Sequence, residues 1–118
     1  MKCIIAGSRS IRDISIVRRA LKEAPFFASV SEIVSGGALG VDALAEIVAA
    51  EWGLPCTIFL PDWKTFGAAA GPIRNRQMAK YAEALVLIWD GKSFGSASML
   101  REATKQKLSI WQVIHQGA

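Results

Sequence analysis

Three short runs of glycine and small polar residues are where this 118-residue chain can do chemistry. They are Gly7-Ser8-Arg9, Ser35-Gly36-Gly37-Ala38-Leu39-Gly40-Val41-Asp42 and Asp90-Gly91-Lys92-Ser93-Phe94-Gly95-Ser96. Glycine lets a backbone approach a ligand closely, and the free N–H groups that open a helix attract phosphate. Tight strand-to-helix turns need glycine for geometry alone, but three such runs on one sheet edge argue for a ligand. Gly7, Ser8, Arg9, Ser35, Gly36, Gly37, Gly91, Ser93, Gly95 and Ser96 are therefore candidate ligand contacts. The segment Gly71-Pro72-Ile73-Arg74-Asn75-Arg76-Gln77-Met78 adds Arg74 and Asn75. A guanidinium fork binds phosphate or carboxylate through two parallel bonds. Arg74 and Arg76 are two apart on a helix and point different ways, so at most one faces a ligand while the other meets solvent or a carboxylate. Asp90 follows the most apolar run, where a carboxylate binds ribose hydroxyls, moves a proton or caps the next loop; it is the candidate catalytic residue. Asp42, early in a helix, suits a cap or dipole partner and is a further candidate ligand group. Trp63, among small and polar neighbours, is the better of two indoles for stacking on a base, Trp89 being the other. Trp52 and Trp111 follow core spacing.

Several chemistries fail on the same residues. Gly91-Lys92-Ser93 imitates the end of a Walker A loop, but the position of that loop's first glycine is Val86, inside a strand pattern. No G-x-G-x-x-G follows the first strand, and the second ends in Ser35 rather than an acid for a ribose, which argues against an ordinary NAD dehydrogenase. His115 has no positioned acid or nucleophile near it in sequence. One histidine and two cysteines, Cys3 and Cys56, leave no structural zinc site and no disulfide framework. No metal and no cofactor are expected. Both cysteines sit in apolar runs and read as buried, inert thiols. A net charge of +4 favours anionic partners, yet only Arg18-Arg19 and Arg74/Arg76 cluster, which argues against nucleic acid.

These residues need a scaffold, and the rest of the chain supplies its pattern. Lys2 to Ala6, Glu32 to Val34, Cys56 to Leu60, Ala84 to Trp89 and Leu108 to Ile114 read as five strands. Asp13 caps a helix with Ile14, Val17, Ala20 and Leu21 on one face. Val41, Leu44, Ala45, Val48, Ala49 and Trp52 repeat at helical spacing until Gly53 and Pro55 stop them. Residues 61–71 read as a loop, Pro72 to about Ala82 as a helix, and Ser96 to about Lys107 as another. Strict alternation of strand and helix predicts an α/β domain: a five-stranded, mostly parallel, doubly wound sheet between layers formed by about four helices. Ligands of such sheets bind beyond the carboxyl ends of the strands, at the switch point of strand order. With 52% hydrophobic and 20% charged residues, the whole of 1–118 reads as one packed domain. No stretch approaches the ~20 apolar residues of a membrane span. Arg9, Arg12 and Asp13 cut the opening apolar run too short for a signal peptide, so the expected location is the cytoplasm.

Together, Gly7-Ser8-Arg9, Ser35-Gly36-Gly37-Ala38 with Gly40 and Asp42, Asp62-Trp63, Ala70 to Met78 and Trp89 to Ser96 resemble the YspA-like branch of the SLOG superfamily, from Met1 to about Val113. That superfamily also holds the LOG phosphoribohydrolases and the DprA/Smf proteins. The resemblance implies a Rossmann-like three-layer sandwich that binds a nucleotide or a nucleotide-derived ligand such as ADP-ribose. Arg74-Asn75-Arg76-Gln77-Met78 is similar to the arginine segment of LOG enzymes, and Gly95-Ser96 to the Gly-Thr of their glycine-rich loop. Counting on, the position of the LOG catalytic glutamate is Met99, which cannot move a proton; Glu102 lies one turn further on. The expectation is thus a nucleotide-binding sensor or sequestering module, with an N-glycosidic phosphoribohydrolase as the alternative and a DNA-associated module as a weaker one. Met78, Tyr81, Met99 and Leu100 read as an apolar patch between two helices, and LOG relatives pair through helices. A homodimer or higher even-numbered oligomer is expected.

Overall fold

A computed structural model describes residues 1–116 of the chain. The strands are β1 (Lys2–Gly7), β2 (Glu32–Ser35), β3 (Cys56–Ile58), β4 (Ala84–Trp89) and β5 (Ser109–Ile114). All pair in parallel, in the order β3-β2-β1-β4-β5. The helices are α1 (Ile14–Glu23), α2 (Val41–Glu51), α3 (Trp63–Phe66), α4 (Ala70–Tyr81) and α5 (Phe94–Lys105).

Alternation along the central strands builds two cores. Cys3 and Ile5 of β1 and Val86 and Ile88 of β4 face Val17, Leu21, Val41, Ala45 and Val48 of α1 and α2. Ile4, Ala6, Leu85 and Leu87 face the other way, onto Met78 and Ala79 of α4 and Met99 and Ala103 of α5. The chain therefore winds outward from β1 through β2 to β3, crosses the sheet, and winds outward again from β4 to β5. The switch point lies between β1 and β4. Among the described residues no helix is long and apolar enough to cross a membrane.

Four expectations are corrected by this geometry. Met78 and Met99 are 1% exposed, pressed into the core under α4 and α5, so they form no surface patch. Cys56 is exposed, because β3 is an edge strand with no neighbour beyond it. Within 61–71, Asp62 accepts the Thr65 amide at 3.1 Å and opens α3; a 3-10 turn at Gly67–Ala69 then leads into α4 two residues before Pro72. Proline fits that first turn because its missing N–H has no intrahelical partner there. Finally, α5 starts at Phe94, since the Ser93 hydroxyl accepts the Ser96 amide at 3.2 Å as an N-cap.

Candidate functional site

Beyond the carboxyl ends of β1 and β4 the strands part and leave a cleft of about 380 Å³. Ser8 closes its floor: its amide donates to the Ile88 carbonyl at 3.0 Å, and its hydroxyl accepts the Asp90 amide at 3.3 Å. Gly7 permits this approach, since a Cβ there would run into the Ile88 carbonyl oxygen. Gly7, Ser8, Arg9, Asp42, Arg74, Asn75, Asp90, Ser93, Gly95 and Ser96 all line the cleft. A smaller lobe of about 260 Å³ adjoins it, lined by Gly36, Gly37 and Trp63 and sharing Arg9, Ala38 and Arg74 with the first. Ser35 and Gly91 line neither. Ser35 is buried, donating to Glu46 Oε2 at 2.9 Å and accepting the Gly37 amide at 3.1 Å, so it shapes the loop. Gly91 supplies a left-handed turn at φ 81°.

The two arginines of α4 separate as their spacing predicts. Arg74 turns to the cleft, its Nη1 bonded to the Gly36 carbonyl and its Nε to Asn75 Oδ1 at 2.9 Å. Nη1 also reaches the Phe59 carbonyl at 3.4 Å, and among the described residues Nη2 donates no hydrogen bond. Arg76 points away and lies 3.5 Å from Glu102, which Lys105 also approaches at 3.7 Å. Glu102 is thereby committed outside the cleft. Asn75 ties α4 to α5 by donating to Ser98 Oγ at 3.1 Å and the Gly95 carbonyl at 3.4 Å. Trp89 donates its indole N–H to Gln112 at 2.7 Å and stays with the sheet.

The two carboxylates of the cleft differ in their surroundings. Asp90 Oδ1 accepts the Lys92 and Ser93 amides at 2.8 and 3.0 Å, and those bonds hold its carboxyl below the ordinary value. It caps the loop into α5 and is a weak proton acceptor. Asp42 is 5% exposed and bonded to the Ala38 amide at 3.2 Å. Burial pushes its carboxyl up to about 6, against the opposing pull of that amide and of Arg74. A Cβ on Gly36 would meet Arg74 Nη1 at 2.7 Å and Asp42 Oδ2 at 2.8 Å, so the glycine is wedged between the two charges. Burial in turn presses the Arg74 guanidinium below its usual value, while Asp42 pulls the other way. Asp42 is the carboxylate whose proton moves near neutral pH. Its burial beneath the glycine loop is what the sequence does not announce.

A family model described as "YspA, cpYpsA-related SLOG family" matches residues 1–66, more than half of the chain. The chain belongs to that SLOG family. The match holds Gly7 to Arg9, Ser35 to Asp42 and Trp63, and stops before Arg74. Among solved structures, this SLOG chain is similar to DNA processing protein A (DprA) from Streptococcus pneumoniae, with a TM-score of 0.76 and 18% identity. The likeness covers 98% of the SLOG chain and 50% of the DprA chain, so the domain spans half the length of that relative. No curated protein sequence matches. Met99, which the sequence sets at the place of the LOG glutamate, is 1% exposed and borders the cleft from within the core.

Proposed function

We propose that the cleft binds a nucleotide or nucleotide-derived ligand by its phosphate and sugar, and that the domain acts as a sensor or sequestering module. The observation that carries this reading is the meeting, at the β1/β4 switch point, of a guanidinium with a free Nη2, a second arginine, and an open helix start. Ser93 takes the Ser96 amide, which leaves the amides of Phe94 and Gly95 for an anion. Ser8 and Asp42 supply partners for sugar hydroxyls, while Asn75, engaged with Arg74, Ser98 and Gly95, holds the wall of the cleft in place. Calorimetry with AMP, ADP and ADP-ribose tests it. Arg74→Ala is expected to weaken binding by about 1.5–3 kcal/mol, the scale of hydrogen bonds to a charged group. No heat and no thermal shift with any of the three would end the proposal.

Asp42 favours a second reading, an N-glycosidic hydrolase, because a carboxylate titrating at about 6 can exchange a proton at physiological pH. Asp90, the carboxylate expected from the sequence, would orient the sugar or water in that reaction. Chromatography for free base released from AMP distinguishes the readings: binding without release at high protein concentration removes the hydrolase. The likeness to DprA carries the fold alone, so a DNA-associated role gains nothing from it. Free thiols at Cys3 and Cys56 fit a cytoplasmic setting. A homodimer or higher even-numbered assembly remains part of the proposal, now resting on the exposed Leu39, Ile47 and Ile58. A light-scattering mass near 12.7 kDa at every concentration would refute it.

A further inference from the structure

The second lobe differs from the first in chemistry. The main cleft is bounded by serine hydroxyls, two carboxylates and an amide, partners for phosphate and sugar. The smaller lobe is bounded by the backbone of Gly36 and Gly37, by Leu60 and Pro61, and by the indole of Trp63. Trp63 is 50% exposed and Leu60 71%, large apolar surfaces left open beside a charged cleft. Gly36 and Gly37 contribute only backbone to this lobe; Gly37 lies at φ 71°, and the space a Cβ would take there is filled by Leu60 Cδ2 at 2.5 Å and Ile58 Cγ2 at 3.2 Å. A half-exposed indole, with its ring edge 3.4 Å from where a Cβ of Gly71 would sit and glycine backbone lining the same lobe, offers a planar face to a flat ring. Arg9 and Arg74 stand at the join of the two lobes, where the sugar-phosphate side of such a ligand would pass.

We infer that the Trp63 lobe is a base subsite: the ligand is a nucleotide whose phosphate and ribose lie in the main cleft and whose planar base stacks on Trp63 over Gly36-Gly37. The inference rests on the phosphate-and-sugar reading of the main cleft and adds the orientation of the ligand within it. Stacking a base on one aromatic side chain contributes roughly tenfold or more in affinity. A phosphosugar lacking the base forgoes that gain.

Calorimetry on the full chain with AMP and with ribose 5-phosphate separates the two statements. The wild-type domain is expected to bind AMP roughly tenfold or more tightly than ribose 5-phosphate. Trp63→Ala should bring AMP down to the level of ribose 5-phosphate and leave the latter unchanged, while Trp63→Phe should keep most of the gap. Trp63 is half-exposed, so its removal leaves both cores intact. Equal affinities for the two probes in the wild type, or an equal loss of both in Trp63→Ala, would overturn the base subsite while leaving the phosphate-and-sugar reading standing. Failure of both probes to bind would overturn the base subsite, and the phosphate-and-sugar reading falls with it only if ADP and ADP-ribose fail to bind as well.

Discussion

Replacing Asp42 by asparagine should make this domain more stable at neutral pH, although it removes a hydrogen-bonded carboxylate from the interior. In the folded chain the carboxyl titrates at about 6 instead of its ordinary 3.8 because burial disfavours its charge. Between those values the folded state binds more protons than the unfolded state, so its stability falls as pH rises through the window and is level above it. The gap corresponds to about 3 kcal/mol of stability present below about pH 4 and lost above about pH 6. Asparagine keeps an oxygen to accept the Ala38 amide at nearly the same place, and it stays neutral throughout. Its new NH2 group needs a partner, which offsets about 1 kcal/mol or more of the gain. Urea unfolding followed by tryptophan fluorescence, with Trp52 packed against the α1–α2 core as a reporter, checks this. Asp42→Asn should exceed wild type by up to about 2 kcal/mol at about pH 7.5 and fall about 1 kcal/mol below it near pH 4, where only the cost of the NH2 group is left. The exposed Asp13 and Glu51 and the partly exposed Asp90 are held below their ordinary values and give the opposite slope, but they are common to both proteins and cancel in the difference. An Asp42→Asn domain less stable by the same amount at both pH values would refute the reasoning. A stabilising loss of a cleft carboxylate is the signature of a group held for function.

Gly7→Ala should lose about 3 kcal/mol or more in the same urea experiment, because the added methyl meets backbone that β1 and β4 cannot both move; an unchanged midpoint would contradict the approach described. Thiol titration with Ellman's reagent should find Cys56 in the folded chain and both cysteines only after denaturation. Burial, with Glu46 and Glu32 nearby, raises the Cys56 thiol, so its labelling should speed up as pH rises. Burial pushes Cys3 up to about 12, and two reactive thiols in the native chain would disprove that arrangement.

The layered fold is legible because it rests on periodicity. The spacing of Val41, Ala45, Val48 and Ala49 and the unbroken apolar run of Ala84–Trp89 mean the same in the chain as in the folded domain. What is not legible depends on neighbours distant in sequence. Cys56 sits in an apolar run like that of Cys3, yet strand order alone makes β3 an edge and exposes it. Met78 and Met99 resemble an open patch only until α4 and α5 are laid on the same face of the sheet. The divergence of Asp42 and Asp90 is of the same kind. Asp90 looks free although the amides it accepts lie only two and three residues ahead, while Asp42 looks like a cap because Arg74, which meets it across Gly36, comes from another part of the chain. Arg74 against Arg76, by contrast, follows from helix geometry, and the chain states it openly.

Setting β1 beside β4 has a consequence for when the site exists. Ile4 is paired with Leu85, so the cleft floor joins segments separated by most of the chain, and that loop must close before the floor forms. The N-terminal part, through β3, carries Arg9, Gly36, Asp42 and Gly37 but none of the wall that faces them. A growing polypeptide would therefore carry about half of the cleft lining without a cleft until β4 and α5 had left the ribosome and docked. The cleft in this fold is thus a late structure, present only once the sheet has closed across β1 and β4.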